Sequence, residues 1–182
     1  MPHGMGPPPT GADGSVPPTT VLPQSPLGPW SLDVAASDGF PDAGRSPAAL
    51  VAVRTGVGEG TQRIVFEFDG DEVPGWQVGY EPLPVLADPT GEPVDLAGTA
   101  ALVVRMTPAS TVDLTDGSFT PTYDGPRRLG IDGGSPGGEL VLTGDFEGLM
   151  TWAVGLDARV PFAVDALVEP ARLVIDLLAT QP

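Results

Sequence analysis

One pattern, written twice, constrains this chain more than any other feature. Residues 63–68 read Arg63-Ile64-Val65-Phe66-Glu67-Phe68, and residues 172–177 read Arg172-Leu173-Val174-Ile175-Asp176-Leu177. Both follow the scheme Arg, aliphatic, Val, large apolar, acid, large apolar. In an extended chain alternate side chains point to opposite faces. Ile64, Phe66 and Phe68 therefore line one face, as do Leu173, Ile175 and Leu177. The Arg and the acid of each copy share the other face with Val65 or Val174. Each copy reads as a strand with one dry face and one mixed face. The wide spacing predicts two related half-units, each copy at an equivalent place in one of two similar sheets, so that Phe66 and Ile175 meet across the core.

Regular strand signals begin at residue 48. Strands are predicted near 49–54, 62–69, 75–80, 99–106, 139–143, 147–156, 161–168 and 172–178. Asp69-Gly70, Asp88-Pro89-Thr90-Gly91, Gly144-Asp145 and further Asp-Gly pairs punctuate them, because these residues tolerate positive φ. The segment 107–136 is rich in Pro, Gly and Asp and reads as a long loop with one short strand around 118–123. No long window carries a 3.6-residue period, so the expected fold is all-β, a β-sandwich. Parity gives three further dry stripes. They are Leu102, Val104 and Met106 (set against Ala101, Val103 and Arg105); Phe146, Met150, Trp152, Val154 and Leu156; and Phe162, Val164, Ala166 and Val168.

The domain organisation follows from where proline ends. Residues 1–29 read as a disordered Pro/Gly-rich tether of partial polyproline II character, since proline removes ladder donors and fixes φ. Residues 30–47 read as an irregular lead-in, with Trp30 set to pin the tether to the domain, and 48–182 as the sandwich. Hydrophobic residues make up 41% of the 182, enough for a core. There is no Lys, and 8 Arg stand against 24 acids, a net charge of −16. Such a surface repels phosphate backbones and anionic lipid, which excludes nucleic acid and a charged membrane surface as partners. No stretch has the length of a membrane span. The chain has 0 Cys, so disulfides, thiolate chemistry and a lipid-bearing cysteine are excluded. No signal peptide is written at the N-terminus. An export signal outside these residues, a start placed downstream and retention inside the cell all stay open.

A family resemblance is carried by longer stretches. Gln62-Arg63-Ile64-Val65-Phe66-Glu67-Phe68-Asp69-Gly70 is one. Others run from Gly91-Glu92-Pro93-Val94 through Leu102-Val103-Val104-Arg105-Met106-Thr107-Pro108-Ala109, and over Asp145–Asp157 followed by Pro161-Phe162-Ala163-Val164. The last is Glu169-Pro170-Ala171-Arg172-Leu173-Val174-Ile175-Asp176-Leu177. Together they resemble the AMIN-like domain of actinobacterial secreted proteins and lipoproteins, itself similar to the AMIN module of cell-wall amidases and secretins. The closing run from Pro170 to Leu177 is its most specific piece. The resemblance implies a sandwich of two similar sheets, an extracellular or cell-envelope setting, no enzymatic activity, and cell-wall glycan or an envelope protein as partner. The absent cysteine departs from the lipoprotein members.

Candidate chemistry is sparse. Gly133-Gly134-Ser135-Pro136-Gly137 has the letters of a serine-hydrolase elbow, but that elbow needs a helix after it and a His base. Pro136 follows, and the single His is His3 in the tether. Asp69-Gly70-Asp71-Glu72 and the stretch from Asp113 to Asp124 offer oxygen ligands without calcium-loop spacing, and read as solvated turn acids. Glu67 and Glu147 share outward parity, the one pair worth weighing for glycoside hydrolysis. No catalytic residue, metal or cofactor is assigned, and a weak hydrolase stays only as a residual alternative. The candidate binding residues are Arg63, Arg105 and Arg172, whose forks suit carboxylates, with Trp76, Tyr80 and Tyr123, whose rings suit sugar faces. Cross-strand ion pairing of Arg63 and Arg172, and core burial of Trp76 and Tyr80, are the competing readings. A protein partner added at an exposed sheet edge is the alternative function.

Overall fold

A computed structural model describes residues 27–41, 45–58, 60–115, 117–131 and 138–179. The tether up to residue 26, His3 and the Ser135 segment lie outside the described residues. The described part is all-β. In chain order the strands are β1 (Ala35–Ala36), β2 (Ala48–Gly58), β3 (Thr61–Phe68), β4 (Gly75–Glu81), β5 (Ala100–Thr107), β6 (Ala109–Ser110), β7 (Val112–Asp113), β8 (Thr120–Pro121), β9 (Arg128–Gly130), β10 (Glu139–Phe146), β11 (Leu149–Leu156), β12 (Phe162–Leu167) and β13 (Arg172–Leu178). A six-stranded sheet runs β1-β4-β5-β11-β10-β9, and a five-stranded sheet runs β12-β13-β3-β2-β6. Strands β7 and β8 form a small ribbon. One buried cluster joins the inner faces of the two large sheets, with Phe66 of one ring-to-ring against Trp152 of the other at 5.7 Å. This is a β-sandwich.

The duplicated pattern sits differently from its sequence reading. Its two copies are β3 and β13, and they are antiparallel neighbours in the same sheet. Val65 lies opposite Val174, Ile64 opposite Ile175 and Phe66 opposite Leu173, so Arg63 faces Asp176 and Glu67 faces Arg172. A motif with Arg at one end and an acid near the other complements itself when one copy is reversed. Opposite charges directly across an antiparallel ladder attract, whereas like charges repel. Ile64, Phe66, Leu173, Ile175 and Leu177 are fully buried, as parity predicts. Phe66 and Ile175 are thus diagonal neighbours on one sheet, and the residue Phe66 meets across the sandwich is Trp152.

Other stripes need correction at their ends. Met150, Trp152, Val154 and Leu156 are buried, but Phe146 is 45% exposed, because the strand turns after it. Phe162 is buried and Val164 packs on the core, whereas Ala166 is exposed and Val168 is 63% exposed as β12 runs off the sandwich. The hairpin joining β10 and β11 turns at Glu147-Gly148, with φ of 50° and 77°. A two-residue loop with both φ positive matches strand twist. Gly144-Asp145 is instead strand, next to a register shift between Leu142 and Gly144. That bulge lets the loop after β4 dock, since a Cβ at Gly144 would stand 2.8 Å from that of Asp88.

The outer face of the six-stranded sheet is also dry. Ala101 and Val103, read as lying opposite the core stripe, form a second buried cluster with Val85 and Ala153, and Leu96 packs on it. The segment between β4 and β5 covers this face. It approaches so closely at Gly155 that a Cβ there would meet the Ala97 carbonyl at 2.2 Å. Among its described residues the stretch 107–136 holds four short strands, β6 to β9, rather than one. The lead-in supplies β1, paired to β4, and Ser31 exchanges two backbone hydrogen bonds with Phe162.

Burial sets the expected order of mutational cost. Phe66→Ala should destabilise by about 3–5 kcal/mol and Ile175→Ala by about 2–5 kcal/mol. Val174, only 3% exposed on the outer face, should cost less as Thr, and half-buried Val65 least. Chemical denaturation checks the series, and a Val65→Thr cost above that of Phe66→Ala would contradict the face assignment.

Candidate binding groove

Strand β5 leaves the six-stranded sheet at Pro108 and continues as β6 in the five-stranded one, so the chain turns a corner of the sandwich there. The corner is pinned from both sheets. Ala48 N–H donates to the Pro108 carbonyl at 2.9 Å, and Ala109 N–H donates to the Gly148 carbonyl at 2.8 Å. Just beyond, Asp145 Oδ2 accepts the Thr111 N–H at 3.0 Å and its Oγ1 hydroxyl at 2.5 Å. The Thr111 carbonyl accepts from Thr122 N–H at 3.0 Å, and Thr122 Oγ1 donates to the Leu50 carbonyl at 2.8 Å. These bonds tie the β10–β11 hairpin, the β6–β7 corner and β8 into one rigid frame.

That frame surrounds an open groove of about 910 Å³, within the range of small-ligand sites. Phe119 and Phe146 supply exposed rings, at 63% and 45% of their surface. Asp88, Asp145 and Glu147 line it with carboxylates, and Arg127 brings a guanidinium. Both Phe119, at φ 54°, and Glu147, at φ 50°, hold the left-handed conformation that bulky residues rarely adopt. Such conformations persist where surroundings over-determine them and cluster at ligand sites. Arg127 is fixed at its backbone, where its carbonyl accepts the Leu142 N–H at 2.8 Å.

The residues named from sequence do not converge on this groove. Arg63 lies on the outer face of the five-stranded sheet, its Nε and Nη2 on the two oxygens of Asp176 at 2.7 and 2.8 Å. Arg172 lies on the same face, its Nε donating to the Pro170 carbonyl at 3.3 Å. Arg105 is on the other sheet and grips Glu81 with both Nη atoms. Trp76 and Tyr80 are partly buried and pack on the core. The Tyr80 hydroxyl donates to the Val160 carbonyl at 2.7 Å and accepts its N–H at 2.9 Å, with Arg159 4.6 Å over the ring. Burial pushes the Tyr80 phenol up. Tyr123 stands edge-on to Trp152 at 6.1 Å, its hydroxyl donates to the Pro126 carbonyl, and burial raises its phenol as well. Glu147 is a turn residue rather than an outward strand position.

Sequence reading missed Phe119, Phe146, Asp145 and Arg127 as a group. The usable signal was Glu147-Gly148 between two apolar runs, a two-residue hairpin loop that places Phe146 at a tip. No sequence signal gathers Arg127 and Phe119 from separate loops.

Two carboxylates contribute to the acid limb of stability. Hydrogen bonding from Arg54, at 2.6 Å, holds Glu67 below the ordinary carboxylate value of 4.5. Arg128 does the same for Glu139, which also accepts the Ala97 N–H at 2.7 Å. A depressed folded pKa stabilises above the unfolded value, and the gain is lost as pH falls through the folded one. Stability should therefore hold to about pH 4.5 and fall below it, and Glu67→Gln with Glu139→Gln should flatten that slope. Acid titration followed by circular dichroism checks this, and unfolding that begins well above pH 5 would contradict it. Solubility should be lowest near the sequence pI of about 4.1.

The fold can be set beside known proteins. A model of the AMIN-like domain matches residues 48–179, well over half of the chain. Nothing matches among curated proteins or solved structures. AMIN-like domains are associated with the cell wall and envelope, and the match spans β2 to β13, both sheets of the sandwich and the corner groove. The chain belongs to the AMIN-like domain family.

Proposed function

We propose that this protein is a non-enzymatic module of the cell envelope that binds cell-wall glycan, and that it does so through the corner groove. The observation that supports this most is the pairing of two exposed phenylalanine rings with polar groups in one rigid concavity. Sugars present apolar C–H faces that pack on aromatic rings, and hydroxyls that donate to carboxylates. Phe119, at φ 54°, and Phe146, at the end of β10, sit on backbone already ordered before binding, which lowers the entropy lost there. An envelope setting outside the cytoplasm completes the reading, in line with the family.

A protein partner at a sheet edge is the second reading, and one edge favours it. Strand β6 covers β2 only at Ala48 and Ala49. Beyond Leu50 the described residues add no strand to the outer edge of β2, which lacks Pro and ends with Val57 57% exposed. The edge of β12 is better guarded, since Ser31 pairs at Phe162 and the Asp165 carboxylate accepts the Ala166 N–H at 2.8 Å.

Sedimentation with purified peptidoglycan separates the two readings. The protein should pellet with it at low salt, and Phe119→Ala with Phe146→Ala should weaken retention by roughly tenfold, the loss expected for aromatic anchors. Thr55→Pro, which spoils the β2 edge, should leave retention unchanged. Protein that stays in the supernatant sinks the glycan reading, and loss of an in-cell crosslink in the Thr55 variant alone would favour the edge.

A further inference from the structure

Every described arginine but one has a partner for its side chain. Arg54, Arg63, Arg105 and Arg128 are ion-paired, Arg45 and Arg172 donate to carbonyls, and Arg159 stacks on Tyr80. Only the Arg127 guanidinium has no partner among the described residues, and it lies at the groove. In a chain of net charge −16 with 24 acids, a cation left without an acid marks a place where an outside anion can bind. The same groove holds three carboxylates. Asp145 commits Oδ2 to Thr111 and keeps Oδ1, while Asp88 and Glu147 have no ion pair among the described residues. The lining thus offers one cationic fork against an excess of anions.

We propose that the groove takes the end of a short peptide terminating in a basic amino acid, with the terminal carboxylate on Arg127 and the side-chain ammonium among Asp88, Asp145 and Glu147. The proposal rests on the wall-binding reading and deepens it, naming the peptide carried on the glycan as what the charged end of the groove holds beside the sugar. A plain glycan would leave Arg127 idle, and a purely anionic ligand would meet the three carboxylates. A zwitterionic, cation-bearing terminus satisfies both signs, and the rings of Phe119 and Phe146 cover its aliphatic stem.

The test uses the full chain and three probes: acetyl-Ala-Ala-Lys as the free acid, the same peptide as its C-terminal amide, and its norleucine analogue. Calorimetry should find the free acid bound, with the amide and the norleucine peptide each weaker by about tenfold or more, the usual worth of a charge-assisted hydrogen bond. Resonances of Arg127, Phe119 and Phe146 should shift together, and Arg127→Met should erase the preference for acid over amide. Equal affinity for the three probes, or a preference that survives in Arg127→Met, overturns the proposal. Sedimentation with intact wall polymer and with glycan stripped of peptide separates the layers. Retention by both alike defeats the peptide assignment and keeps wall binding. Retention by neither defeats wall binding itself.

Discussion

The contact on which the rest of the structure depends is the ion pair between Arg63 and Asp176 across β3 and β13. Asp176 is fully buried while Arg63 is about two-fifths exposed. A carboxylate withdrawn from water costs several kcal/mol, by an order-of-magnitude argument, unless paired with good geometry. Here two parallel N–H···O bonds meet that need. The pair also selects register. A slip of one residue would send Ile64, Phe66 and Phe68 to the outer face, so burial forbids it. A slip of two keeps the faces but sets Arg63 opposite Val174 or Leu178 and strands Asp176. Parity and charge close different errors, and both are written in the same short motif.

With that register fixed, β3 presents Phe66 to Trp152, and the five-stranded sheet has a defined face for the six-stranded one. The chain then has to pass between sheets, which it does at Pro108. The passage brings Thr111 to Asp145 and leaves the β10–β11 tip standing over a groove. The candidate site is thus a by-product of closing the sandwich at one corner. Its rigidity comes from bonds that already hold the fold, and its exposed rings contribute little to the core.

Strand positions and the inner face were legible in the sequence because a period of two needs no long-range information. The eight main strands, the buried stripe Ile64-Phe66-Phe68 and the family resemblance all came from local pattern. Pairing was not legible. Arg63 and Asp176 are far apart along the chain, and a motif repeated at that distance fits two sheets as well as two neighbours. Nor did parity foresee a covering segment, which buries Ala101 and Val103 and hides the outer face of β5. The groove was least legible, since Arg127 and Phe119 belong to separate loops and Phe146 to the end of β10, joined only by the corner. The arginines chosen by outward parity proved instead to have partners already, which is what outward charges on adjacent strands commonly do.

A double-mutant cycle on Arg63 and Asp176 tests the central claim most directly. Arg63→Met, Asp176→Asn and the double variant would be unfolded by denaturant at pH 7. If the pair fixes the ladder, each single change destabilises, and the coupling energy is about 2 kcal/mol or more, as for contacting residues in one ion-pair network. Additive losses, with coupling within about 0.5 kcal/mol, would mean that hydrophobic parity alone sets the register and would contradict a ladder fixed by this ion pair.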